Sequence, residues 1–320
     1  MIENSNVLLR ERNRCIAIGR RATRQSLSRD SNYKRDRKGA WFVLPFFAVF
    51  ALFLIGPLAY AVFESLHTTT LIGGTHFSGL SNYRAIIQDA PFWGALLRVV
   101  VFGVVEIPIM LGLAFFFATM FDLGIAKFGR VLRTVFFVPF AVPSVVGAVM
   151  WAFLLDPANG AYTRMAQLIG FTHVDFFSSN LILPSIIGIA VWQYTGYNMM
   201  ILYTALKSVP TEYVEAAVLD GASLSRVILQ IKLPSVRPAI VLLMFLSTIG
   251  ALQLFTEPMI LSYFQNQAVT TSFTPTIYIY NTAIGGGQYG LSAAGAVLLG
   301  LLVVILSVAS LAARGRRGRG

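Results

Sequence analysis

The chain has 320 residues, of which 56% are hydrophobic and 12% charged, with a mean hydropathy of +0.69. Soluble domains carry about 25% charged residues, so this composition excludes an ordinary soluble domain and points to lipid. The net charge of +11 does not indicate nucleic acid, because it sits at the ends: residues 1–38 hold eleven Lys or Arg, the tail holds Arg314, Arg316, Arg317 and Arg319, and the middle is neutral. The single Cys15 excludes an intramolecular disulfide and any cysteine metal cluster.

The basic arm over residues 1–40 is rich in Arg and Ser, and is expected to be disordered or to lie along anionic lipid. Ala59-Tyr60-Ala61 looks like a cleavage site, but the apolar run before it is too long for a signal peptide and its basic arm too extended. A membrane crossing needs about 20 apolar residues, and six candidates follow: 41–63, 94–120, 133–154, 181–206, 238–261 and 290–312. The expected class is therefore an all-α integral membrane protein, with a six-helix domain over residues 41–312 and a basic tail over 313–320. Both termini then lie on one side. With that side cytoplasmic, 22 of the 25 Lys and Arg fall inside, leaving Arg84, Arg98 and Arg164 outside or near the outer face.

This orientation puts residues 207–237, between the fourth and fifth spans, in the cytoplasm. Glu215, Ala216 and Ala217 favour helix, and Gly221 can take the positive φ that ends one. Ser223 is placed to cap a second helix, which runs through Val227, Ile228 and Ile231 to an expected stop at Pro234. A mere connector does not need about 30 residues of helical periodicity, so a docking partner is expected here.

Glu215, Ala216, Ala217, Asp220, Gly221, Ile231, Leu233 and Pro234 resemble the signature loop of ABC importer permeases. The phrase Phe77 to Tyr83 resembles an outer loop of the carbohydrate-uptake members, the maltose and glycerol-3-phosphate type permeases. Trp192 and Tyr197 resemble an aromatic pair in the corresponding span of the maltose permeases, where the Tyr is a sugar-contacting position. Tyr203 to Tyr213 and Thr276 to Leu291 are similar to theirs as well. A Gly-Gly-Pro turn common after their fifth span is replaced here by Ser262 to Gln267. The resemblance implies a coupling helix docked on a separate ATPase, which carries ATP and Mg, so that this chain has no cofactor and is no enzyme. It further implies a second homologous permease chain, two ATPase copies and an extracytoplasmic solute-binding protein, in a bacterial-type inner membrane.

Polar groups inside a span usually face the bundle, because facing lipid costs several kcal/mol. The fourth span offers Trp192, Gln193, Tyr194, Thr195, Tyr197 and Asn198, a mixture of ring faces and hydrogen-bonding groups suited to a sugar. Ser247, Thr248, Gln253 and Glu257 add candidates from the fifth span. The same residue types also serve as interhelical glue and interfacial belts. Glu106, mid-way along the second span beside Pro108, is either a structural acid or a proton site. The latter would make the chain a secondary transporter, whose further signature would be an inverted repeat with interrupted helices. The glycines of Gly285 to Gly290 carry a dinucleotide-like spacing but open a span, where they read as a hinge. His67, His76 and His173 fall in outer loops, and His173 with Asp175 supplies too few ligands for a metal. No Walker A sequence and no nucleophile–base constellation occurs.

Overall fold

The computed structural model describes residues 37–70, 74–171, 174–264 and 268–317. The expectation for the N-terminal arm falls almost wholly outside these residues, as does His173. The chain divides into two units, Met1–Tyr60 and Ala61–Gly320.

In the first unit, helix α1 (Arg37–Phe50) runs through one π-helical turn (Ala51–Ile55) into α2 (Gly56–Ser65), which continues into the second unit. Pro57 causes the π turn. Its ring has no N–H to donate and crowds the carbonyl four residues back. The Gly56 N–H therefore reaches back five residues, to the Ala51 carbonyl. The stretch Trp41–Ser65 is long and apolar enough to cross a membrane, and its apolar side chains are exposed.

The second unit opens with an antiparallel hairpin, β1 (His67–Thr70) and β2 (Gly74–Phe77), in the register His67↔Phe77 and Thr69↔Thr75. This is a small departure from the all-helical expectation. The outer-loop phrase builds it: the buried Asn82 amide donates to the carbonyls of Ser65 (2.9 Å) and His67 (2.8 Å), and the Tyr83 hydroxyl meets Ser65 Oγ at 2.6 Å. Helices follow as α3 (Ser81–Gln88), α4 (Ala90–Asp122), α5 (Gly129–Ala141), α6 (Ser144–Leu154), α7 (Ala161–Leu168) and α8 (Ile182–Lys207). After these come α9 (Thr211–Leu219), α10 (Leu224–Val227), α11 (Leu233–Leu252), α12 (Thr256–Phe264), α13 (Pro275–Tyr280) and α14 (Tyr289–Arg317).

Helix α8 is the axis of the packing. Its Ile182, Ile186 and Ile189 are buried with Leu261 of α12 and Phe273, while Met199, Leu202 and Leu206 are buried with Met110 of α4 and Leu243 of α11. Lipid is as apolar as these side chains, so close packing rather than water exclusion has to hold such helices together. Gly196 shows how close: a Cβ there would lie 1.7 Å from the Phe136 carbonyl oxygen of α5.

Four helical stretches among the described residues are long and apolar enough to cross a membrane, or five if one bent pair counts as a single span. Of the six expected spans, the third and fourth are not single apolar helices and the fifth carries a local break. The third, 133–154, is two half-helices, α5 and α6, meeting at 97°. Val142 and Pro143 are both extended, because Pro143 disfavours helix in the residue before it. The fourth exists as α8, 26 residues long, but Gln193, Tyr194, Tyr197 and Asn198 leave it too polar to count as a lipid-facing span. The fifth, 238–261, lies within Leu224–Phe264, which is long and apolar enough to cross; inside it residues 253–255 leave the helix between α11 and α12, and the freed Leu254 carbonyl accepts from Thr276 Oγ1 at 2.6 Å.

The expected helix stop at Pro234 is also absent. A π turn over Ile228–Lys232 precedes the proline, with the Leu233 N–H bonded to the Ile228 carbonyl, and the chain runs on into α11. The glycine-rich stretch before α14 is a built turn: Gly287 has φ +64°, and a Cβ on Gly290 would lie 1.9 Å from the His67 carbonyl oxygen.

Candidate functional site

Two features of the second unit combine accessible chemistry with fixed geometry. One is a cavity of about 380 Å³ among α4, α5, α8, α11 and the start of α12. Tyr194, Tyr197, Asn198, Ser247, Gln253 and Glu257, all singled out in the sequence, line it together with Glu106. At 3.6 residues per turn, Ala190, Tyr194, Tyr197 and Asn198 share one face of α8, which is why they arrive together. Asn198 is held by its own helix, its amide donating to the Tyr194 carbonyl at 2.9 Å. The Tyr197 ring stacks on Phe140 at 4.4 Å between centroids. Both acids are nearly enclosed, Glu106 at 4% and Glu257 at 5% exposure.

Two expected residues lie elsewhere. On the same helical wheel Trp192 falls opposite the cavity face, and its ring meets Trp151 edge-on at 5.6 Å. Gln193 falls on the flank, where its amide donates to the Val142 carbonyl at 3.2 Å and its Oε1 has no partner among the described residues. Gln193 thus satisfies the carbonyl freed where α5 breaks from α6. Thr195 bonds back to the Val191 carbonyl, and Thr248 lines a separate apolar groove between α11 and α14.

The second feature is the loop from α9 to the π turn. Helix α9 has no buried residue, although it carries Tyr213, Val218 and Leu219, the last 88% exposed. Gly221 turns the chain at φ +80°, as its sequence position required, and Ser223 stands at the start of α10 without capping it through its side chain. Glu215, Ala216, Asp220 and Pro234 are exposed, whereas Ala217, Ile231 and Leu233 are half-buried.

What the sequence reading missed is how this loop is tethered. Asp122, the last residue of α4, accepts a hydrogen bond from buried Lys232 and pairs with Lys207 Nζ at 3.0 Å. Lys207 ends α8 and Lys232 precedes α11, so one carboxylate gathers both ends of the loop. Arg98 was likewise not assigned: its guanidinium donates to the Phe273 carbonyl at 2.7 Å and lies over the Phe273 ring. Near it, the Tyr278 hydroxyl donates to the Asp89 carboxylate, and burial together with that bond pushes the phenol up to about 12. No spacing rule could have found these pairs, because they join residues far apart in the chain.

The chain is similar to known transport proteins. The chain is 30% identical over 267 residues to the sn-glycerol-3-phosphate transport system permease protein UgpA of Yersinia pseudotuberculosis, covering 83% of this chain and 90% of that protein. It is 27% identical to the trehalose/maltose transport system permease protein MalF of Thermococcus litoralis, covering 88% and 95% respectively. A solved bacterial ABC transporter involved in the import of the acidic polysaccharide alginate shares the fold, with a TM-score of 0.76 at 21% identity over 88% of this chain and 96% of that one. Residues 110–317, which contain the bent helix pair, the cavity face of α8 and the tethered loop, match the family described as binding-protein-dependent transport system inner membrane component. That match covers more than half of the sequence, and the chain belongs to this family of membrane permease components.

Proposed function

We propose that this chain is the permease subunit of an ATP-driven ABC importer that moves a sugar or sugar-like solute into the cytoplasm. The observation that carries the reading is the Asp122-tethered loop, in which α9 leaves the apolar side chains of Tyr213, Val218 and Leu219 exposed among the described residues. Such a surface on a charged, soluble loop fits a cleft on a separate subunit. That subunit is an ATPase in two copies, holding ATP and Mg, and this chain has no cofactor of its own. The loop lies in the cytoplasm with both termini, an orientation supported by the placement of Lys and Arg. On this reading the bent pair is one crossing and α8 another, giving six crossings over 41–312 between a basic arm and a basic tail. A second homologous permease chain completes the pathway, and an extracytoplasmic binding protein delivers solute. The sugar preference is supported by the name of the trehalose/maltose relative and by the rings and amides of the cavity.

Closure of the ATPase dimer moves its docking clefts, and a rigid loop must follow them. Loaded receptor and ATP then favour the same outward-open state, which hydrolysis relaxes. The test is site-directed crosslinking. Leu219→Cys should crosslink to the ATPase subunit in a manner that changes with nucleotide, and Tyr263→Cys should not. Equal crosslinking from both positions would remove the docking surface from the account.

A secondary transporter using Glu106 is the second reading. Glu106 lines the cavity, and the 97° break is an interrupted helix of the kind such carriers use. It predicts uptake driven by an ion gradient without nucleotide.

A further inference from the structure

The cavity has a charge character of its own. Glu106 from α4 and Glu257 from the first turn of α12 line it, and the remaining polar lining is neutral: Tyr194, Tyr197, Asn198, Ser247 and Gln253 among the named groups. No Lys, Arg or His lines it. Neither Glu106 nor Glu257 has a side-chain hydrogen bond or ion pair to any other described residue. Arg98, the cation of the same helix as Glu106, is already taken by the carbonyls of Ser272 and Phe273.

Two carboxyl groups more than nine-tenths buried and without a counter-charge are costly as carboxylates unless they take up a proton or a bound donor completes them. An acid without a partner that opens onto a cavity can accept from hydroxyl or ammonium donors. A phosphate or carboxylate entering the same space brings only further acceptors and like charge into a low-dielectric site. The volume of about 380 Å³ suits a small solute.

We propose that Glu106 and Glu257 form an acceptor pair that admits solutes presenting hydroxyl or ammonium donors and turns away solutes bearing phosphate or carboxylate. This rests on the importer reading and narrows it, since one relative is named for glycerol-3-phosphate and another takes part in importing an acidic polysaccharide. The selectivity resides in the permease, independent of any receptor.

The experiment measures direct binding to the purified permease–ATPase complex without the receptor, using maltose, glucosamine, sn-glycerol-3-phosphate and glucuronate as probes. The expected result is that maltose or glucosamine binds at least tenfold more tightly than either anion. The isosteric variants Glu106→Gln and Glu257→Gln, singly and together, are followed by size-exclusion profile and ATP hydrolysis to confirm assembly. The double variant should reduce the discrimination to less than threefold. Three results overturn the proposal: an anion binding as tightly as the uncharged sugar, discrimination undiminished in the double variant, or no binding of either donor-bearing probe at millimolar concentration. ATP-dependent uptake by the intact complex is scored separately. Nucleotide-driven import of glycerol-3-phosphate sinks this inference and leaves the importer reading standing, while uptake indifferent to nucleotide sinks that reading itself.

Discussion

Lys232 and Asp122, 110 residues apart, form an ion pair in which both side chains are buried, at 7% and 6% exposure. The pair fixes the last turn of α4 to the turn that launches α11, and Lys207 adds a second arm from the end of α8. Lys207 is half-exposed, so its share is small. Breaking a buried pair by removing one partner costs about 3–5 kcal/mol, because the other charge is stranded. Asp122→Asn should therefore lower the unfolding midpoint of the detergent-solubilised chain sharply. Asp122→Leu combined with Lys232→Met should recover most of the loss. A double variant as unstable as the single would show that the charge itself is needed, as docking geometry rather than as packing.

The turn at Gly221 separates strain from charge. A Cβ at this position meets nothing within 4 Å, but φ is +80°. Any substitution there acts through the backbone, at about 1–2 kcal/mol for most residues and less for Asn. Gly221→Val should abolish ATP-driven uptake while the chain still reaches the membrane, and Gly221→Asn should retain most of it. Equal activity of the two variants would mean that the bend is not needed.

Leu219, 88% exposed at the end of α9, offers a cleaner probe of docking. Leu219→Glu should change the stability of the isolated chain by less than about 0.5 kcal/mol. Uptake by the assembled complex should fall at least tenfold. Parallel losses of stability and uptake would reassign Leu219 to the fold.

Two glycines of α8 should respond in opposite directions to the same change. Gly196→Ala drives a methyl into the Phe136 carbonyl and should cost about 3 kcal/mol or more, as severe overpacking. At Gly188 nothing lies within 4 Å, and alanine should stabilise by up to about 1 kcal/mol through helix propensity. Thermal unfolding of the two variants reads the difference directly.

The parts of the molecule legible in the sequence are those governed by local chemistry. The helix–Gly221–helix loop follows from propensity and positive φ, and the meeting of Tyr194, Tyr197 and Asn198 follows from helical spacing. Gln193 and Trp192 show the limit of that logic. Polarity nominates Gln193 and an aromatic match nominates Trp192, but the wheel puts one on the flank and the other opposite, where a broken helix and a tryptophan claim them. The break itself was missed because the run 133–154 is almost wholly apolar after Arg133 and Thr134, and the effect of Pro143 on Val142 was outweighed by hydropathy. Proline was misjudged in the other direction at Pro234, where a π turn absorbs the defect and the helix continues. Asp122 with Lys232 was beyond reach, since nothing local distinguishes a buried ion pair from two charges at a membrane boundary.

The most direct measurement is solute uptake into proteoliposomes containing the complete complex and its receptor, with and without ATP and with imposed ion gradients. The account predicts uptake that requires hydrolysable ATP, ignores the gradients, and is lost in Gly221→Val. Uptake driven by a proton or sodium gradient in the absence of nucleotide would contradict it.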